Sequence, residues 1–257
     1  MTNYSKSLSK IIDYSQNILG NLSIDKNPKN LYSPINYIFS NKGKQIRAIF
    51  TLLSHDMFGG KISNLREIIL SIEALHNFTL IHDDVMDNAT LRRGKTTINK
   101  KWSNNQAILS GDVLLIKSYQ YLLESKAIHA SVLKFFSHTA IKICEGQQMD
   151  LDFQLKEEIS INQYLRMIEL KTGALIQFSL MMPFFLKNCG EKNMSIMKSI
   201  GVDLGKLFQI QDDYLDLYAK QSDLGKVIGG DILEKKKTFL YVSALSKSTP
   251  REKKNLK

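Results

Sequence analysis

Apolar residues recur three and four positions apart through most of the chain. Ile68, Ile69, Ile72, Leu75 and Phe78 form one such stripe, and Val113, Leu114, Ile116, Tyr119 and Leu122 another. That spacing puts each set on one face of an α-helix. Period-two alternation, the mark of a strand, is almost absent, and no Asn-Gly or Asp-Gly pair separates two alternating runs, so no hairpin is expected. Breaks between helices are expected at Asn27-Pro28, Ser33-Pro34, Gly59-Gly60, Asn88 to Lys95, Lys187 to Lys192 and Gly229-Gly230, where turn-forming residues cluster. The pattern predicts an all-α fold. No solenoid repeat is present, but a short Asp-rich segment occurs twice, about 130 residues apart.

The 257 residues, 43% hydrophobic, suffice for one sizeable core. With no Gly/Ser-rich or Pro-rich linker, a single domain over 1–257 is expected. Cys144 and Cys189 lie far apart and match neither a zinc nor a disulfide pattern, which points to reduced thiols and a cytoplasmic protein. No export signal and no apolar run of membrane-spanning length are read. The net charge is +10, and ten Lys and Arg against four Asp and Glu lie between Lys220 and Lys257. Such an excess suits anionic partners, although residues 246–257 read as a frayed basic tail.

The repeated acidic segment carries the chemistry. At the end of an amphipathic stretch stand Asp83, Asp84 and Asp87, and after a second stretch stand Asp212, Asp213 and Asp216, with the same DDxxD spacing. On a helix the first and last aspartates are one turn apart and repel, and acids are disfavoured at a helix C-terminus. A hard cation relieves both. Carboxylates without cysteine or clustered histidine point to Mg²⁺ or Mn²⁺ rather than zinc. A single DDxxD is equally well a solvated helix end; two copies favour metals shared with a diphosphate.

Basic residues supply the other half of such a site. Arg92 and Arg93 follow the first motif, Lys44 and Arg47 precede an apolar helix, and Lys171-Thr172, Lys226 and Lys236 come later. Guanidinium forks match phosphate oxygens. Neither GxxxxGK[ST] nor GxGxxG is present, so nucleoside triphosphates and dinucleotides are not indicated.

In order, the segments GKQIR, EALHNFTLIHDDVMDNATLRRGK, LSGD, CEGQQMDL, KTGAL, FQIQDDYLD and GDILEKKKT resemble the trans-isoprenyl diphosphate synthases, the farnesyl, geranylgeranyl and polyprenyl diphosphate synthases. The resemblance runs from about Asn41 to Leu245. It implies an isoprenoid-synthase-type helical bundle around a central cavity, a homodimer, and magnesium-dependent condensation of isopentenyl diphosphate with dimethylallyl, geranyl or farnesyl diphosphate. It further implies that the six aspartates hold metal, that Lys44, Arg47, His76 and Arg93 contact isopentenyl diphosphate, and that Arg92, Lys171, Thr172, Gln209, Lys226 and Lys236 serve the allylic side. Phe78 and Thr79, one turn before Asp83, are implied to limit chain length, with Phe78 favouring a C15 or C20 product.

Two departures stand out. Lys235 replaces the glycine usual before Lys236, and the sequence stops at Lys257, where family members run several tens of residues further. A terpene cyclase or squalene-type condensing enzyme would not need the Lys44/Arg47 pair. A non-catalytic subunit of another synthase would be expected to lose metal aspartates. Nucleic-acid binding lacks any recognisable module.

Overall fold

The structure, a computed structural model, describes residues 3–20, 22, 24–41, 43–126, 128–187, 189–219 and 229–256, with side chains from residue 8 onward. Helices dominate it: α1 (Asn3–Gly20), α2 (Lys29–Ser40), α3 (Ile46–Met57) and, after a 3-10 turn at Ile62–Leu65, α4 (Arg66–Met86). A ribbon of β1 (Leu91–Arg92) and β2 (Lys95–Thr96) precedes α5 (Ile98–Lys101), α6 (Asn104–Glu124), α7 (Ala130–Gln154) and α8 (Ile161–Ile168). A π-helical turn, Glu169–Gly173, leads into α9 (Ala174–Leu186) and α10 (Glu191–Tyr218). Then come α11 (Gly230–Leu233), α12 (Phe239–Lys247) and α13 (Pro250–Leu256).

Two helices are buried nearly all round and form the centre. On α4 the run Ile68 to Leu75 is buried without interruption, and on α9 the run Ala174 to Pro183. Such helices have no solvent face to keep polar. The α4 helix lies along α6 and touches α3 and α9, while α9 is enclosed by α3, α7 and α10. The second sequence stripe fares differently: Leu114 and Leu122 are buried, but Ile116 is exposed.

Three expectations need correction, and one departure finds its reason. Pro34 is not a break; it lies inside α2, at the cost of one backbone hydrogen bond. A hairpin does occur, with Leu91 opposite Thr96 and Arg92 opposite Lys95. Its two-residue turn is Arg93-Gly94, with φ of 53° and 73°. Positive φ at both positions is the I′ geometry usually signalled by Asn-Gly, and here an arginine takes the strained place. The segment expected to fray is helical over Pro250–Leu256. Thr249 and Glu252 cap it reciprocally, with Thr249 N–H on Glu252 Oε2 at 2.8 Å and Glu252 N–H on Thr249 Oγ1 at 3.4 Å. Proline occupies the favoured first position. Finally, Lys235 adopts φ 55°, just beyond the end of α11. This is the left-handed position where a helix prefers glycine, the residue that the resemblance leads one to expect there.

Candidate functional site

The two acidic motifs end α4 and lie near the end of α10. Asn88, with φ 50°, stops α4, and Asp87 N–H closes its last turn on Asp83 O at 2.8 Å. Between α4 and α10 opens a cavity of about 590 Å³, lined by Asp83 and Asp87 on one side and Asp212, Asp213 and Asp216 on the other. Arg47, His76, Arg92, Arg93, Lys171, Thr172, Gln209 and Lys236 also line it, so most of the predicted residues converge. Among the described residues three do not: Lys44 is exposed and off the wall, Asp84 is buried behind it, and Phe78 is off it as well. Lys226 lies outside the described residues.

Adjacent helical residues point about 100° apart, so the two aspartates of each DD pair cannot act alike. Asp84 turns away and accepts Arg92 Nε at 2.7 Å, fixing that arginine beside the cavity. Burial raises its carboxyl to about 6 in spite of Arg92. Asp83 stays on the wall, raised by burial against the pull of Lys171 and Arg92, and no hydrogen-bond donor reaches it among the described residues. Asp213 is taken up by protein donors, and the Asp216 carboxylate accepts Asp231 N–H at 3.2 Å.

The π turn brings in Lys171 and Thr172. It is clamped between α7 and α10 because Gly146 and Gly205 carry no Cβ: a methyl at either would overlap the backbone of Lys171 or Gly173. An extra backbone residue in one turn re-aims the side chains that follow. Lys171 Nζ thus reaches Asp150 Oδ2 at 2.6 Å, and Thr172 donates to Gln209 Oε1 at 2.8 Å. Burial would lower the Lys171 ammonium, but Asp83 and Asp150 outweigh it and hold it above the ordinary lysine range. Across the cavity Lys236 Nζ meets Asp87 Oδ2 at 2.7 Å and Glu234 Oε2 at 2.8 Å.

A second basic cluster sits apart. Arg47 Nη1 is 3.1 Å from His76 Nε2, and Arg93 Nη1 donates to Asn41 O at 3.1 Å, which holds the strained turn. Burial lowers Arg47 to about 10, and burial together with Arg47 and Arg93 keeps His76 well below the ordinary imidazole range. Beneath them lies Glu73, buried, its carboxyl raised by that burial against the pull of Arg47 and Arg93. Sequence reading missed Glu73, Asp150, Tyr164, Asp231 and Glu234. Asp150 stands in the CEGQQMDL block, but nothing local to Tyr164 marks it.

Among the described residues no three His, Cys, Asp or Glu side chains converge enough to hold an ion alone. Oxygen-only donors on opposite walls, including a half-buried Asp83 that no donor reaches among the described residues, fit a hard cation that takes its other ligands from water and a diphosphate. The cavity wall also carries the apolar side chains of Leu80, Met167, Ile176 and Phe208, together with Thr79. Phe78 is not on it. It is buried edge-on against His82, ring centroids 4.6 Å apart, behind Thr79.

Comparison with known proteins agrees with this geometry. The sequence profile of the polyprenyl synthetases matches residues 28–257. The short chain isoprenyl diphosphate synthase of Methanocaldococcus jannaschii is 37% identical over 236 residues, covering 91% of this chain and 71% of that protein. The geranylgeranyl diphosphate synthase of Sulfolobus acidocaldarius is 34% identical over 260 residues, covering 99% and 78%. A crystal structure of a geranylgeranyl pyrophosphate synthase superposes with a TM-score of 0.87 at 38% identity, covering 99% of this chain and 78% of that one. The chain belongs to the polyprenyl synthetase family.

Proposed function

We propose that this protein is a trans-prenyltransferase that joins isopentenyl diphosphate to an allylic diphosphate, giving a short-chain isoprenyl diphosphate of C15 or C20 and releasing diphosphate. The observation that carries the reading is the pairing of two distinct cationic sites in one cavity. Lys171, Lys236 and Arg92 stand among the aspartates, while Arg47, His76 and Arg93 form a separate cluster. Two sites suit two diphosphates.

Asp83, Asp87 and Asp212 are the residues we assign to Mg²⁺, with Mn²⁺ as a substitute. The bound ion would supply positive charge to the departing diphosphate. Lys171, Lys236 and Arg92 add charge at the same place, where low dielectric makes it count most. As the allylic C–O bond breaks, the double bond of isopentenyl diphosphate, held by Arg47, His76 and Arg93, attacks the allylic carbon. The new cation then loses a proton to the released diphosphate. Leu80, Met167, Ile176 and Phe208 keep water from the cation.

The names of the relatives, a short chain isoprenyl and a geranylgeranyl diphosphate synthase, support the substrate class and product range. We assign the protein to the cytoplasm on its two free thiols, and no described helix is long and apolar enough to cross a membrane. A homodimer through α6 is favoured by Ile108, Leu109, Ile116 and Leu123, all exposed on that helix. All six aspartates are present, and nothing favours a non-catalytic subunit. The direct test is release of diphosphate from geranyl diphosphate plus isopentenyl diphosphate. It is expected to need both substrates, to stop on chelation of divalent cations and to return with Mg²⁺. Release from geranyl diphosphate alone at the same rate would point to a different reaction.

A further inference from the structure

The three carboxylates of the second motif are not equivalent. Asp212 is exposed, whereas Asp213 and Asp216 are 3% and 1% exposed. Asp213 Oδ2 accepts the Tyr164 hydroxyl at 2.6 Å and the Phe239 N–H at 2.7 Å, and Oδ1 accepts Gln209 Nε2 at 3.0 Å. These donors come from α8, from the first residue of α12 and from α10 itself. Gln209 is in turn held by Thr172 of the π turn at 2.8 Å.

At its other end the same segment is tied to Asp216, whose carbonyl accepts Gly229 N–H at 2.9 Å and whose carboxylate accepts Asp231 N–H at 3.2 Å. Residues 229–239 are therefore fastened to α10 twice, and between the fasteners Lys236 reaches over to Asp87.

We propose that Tyr164 is a positioning residue: its hydroxyl holds the Asp213 carboxylate on the Phe239 N–H, so that Asp213 anchors the segment carrying Lys236 instead of binding the metal. Tyr164 is 1% exposed and its ring packs near Phe239, centroids 5.9 Å apart, so the ring fixes the hydroxyl. A buried carboxylate oxygen that loses one of two donors loses direction as well as energy. Lys236 would then wander from the diphosphate, while the Arg47 cluster would feel nothing. The kinetic part of this rests on the function proposed above; the tether itself does not.

The test is Tyr164→Phe, which keeps the ring and removes only the hydroxyl. Amide hydrogen exchange across 231–239 is expected to speed up about tenfold or more, with α4 and α6 unchanged. KM for the allylic diphosphate should rise by a similar factor, with KM for isopentenyl diphosphate and the half-saturating Mg²⁺ concentration unchanged. Unchanged exchange in 231–239 overturns the proposal. A raised Mg²⁺ requirement also overturns it, because Asp213 would then be a ligand. Should the wild type lack prenyltransferase activity, exchange alone decides. If Tyr164→Phe does not fold, Phe239→Pro removes the other donor at a first helical position, which tolerates proline. Faster exchange over 231–238 then supports the anchor, and unchanged exchange rejects it.

Discussion

Gly205→Ala probes how tightly the fold controls the position of Lys171. An added methyl would overlap Gly173 Cα and lie 3.0 Å from Gly173 N. Carbon atoms pack at about 3.5–4.0 Å, so α10 and the π turn would have to part by about 1 Å. Neither partner is a flexible side chain; both are helix backbone. Overpacking of this kind costs about 1–3 kcal/mol. In a chain of this size that lowers the melting temperature by about 2–4 °C per kcal/mol. The same shift moves Lys171 and Thr172, and a 1 Å misplacement of a catalytic group can cost on the order of 100-fold in rate. The assay is thermal unfolding alongside steady-state kinetics with both substrates varied. The lower melting temperature should come with a fall in kcat that exceeds what loss of folded protein accounts for. At an open helical position alanine would instead stabilise by about 1 kcal/mol relative to glycine. A stabilised variant with normal kcat would refute the close approach of α10 and the π turn.

Lys235→Gly should stabilise the protein by about 0.5–1 kcal/mol, the left-handed penalty of a lysine less the entropy lost by glycine, raising the melting temperature by a few degrees; a lower melting temperature would count against it. Phe78→Ala should open space behind Thr79, lengthening the products and costing about 3–5 kcal/mol of stability, as read by product chromatography and denaturant titration; an unchanged product spectrum would show that chain length is set elsewhere. His55 is 5% exposed and held below the ordinary imidazole range by burial and then by Lys187. The unfolded chain therefore binds a proton first, so this contribution is complete above about pH 6.5 and is lost as pH falls from there through the depressed folded value. Denaturant titration at pH 7.5 and 5.5 should show a smaller pH effect in His55→Gln; an equal effect would exclude His55 as a source.

The helices and both acidic motifs were legible because their signals are local: a 3.6-residue period and a repeated spacing. What was not legible depends on direction or distance. The sequence places six aspartates together but not the turning away of Asp84, which takes Arg92 with it. Counting about 100° per residue, Thr79 lies roughly 40° from Asp83 and Phe78 roughly 140°, which is why only Thr79 lines the cavity. The hairpin escaped because Arg93 takes a backbone position normally advertised by asparagine, held there by Asn41 from 52 residues away. The helix at Pro250–Leu256 was in fact announced by Thr249 and Glu252, a capping pair hidden within a basic stretch. Tyr164 has no local mark at all, since its partner Asp213 is 49 residues distant.

The central claim is tested most directly by incubating the folded protein with labelled isopentenyl diphosphate, Mg²⁺ and dimethylallyl, geranyl or farnesyl diphosphate in turn, then separating the dephosphorylated products by length. The account predicts metal-dependent incorporation of label into C15 or C20 prenyl alcohols. Absence of labelled product with every allylic substrate would contradict it.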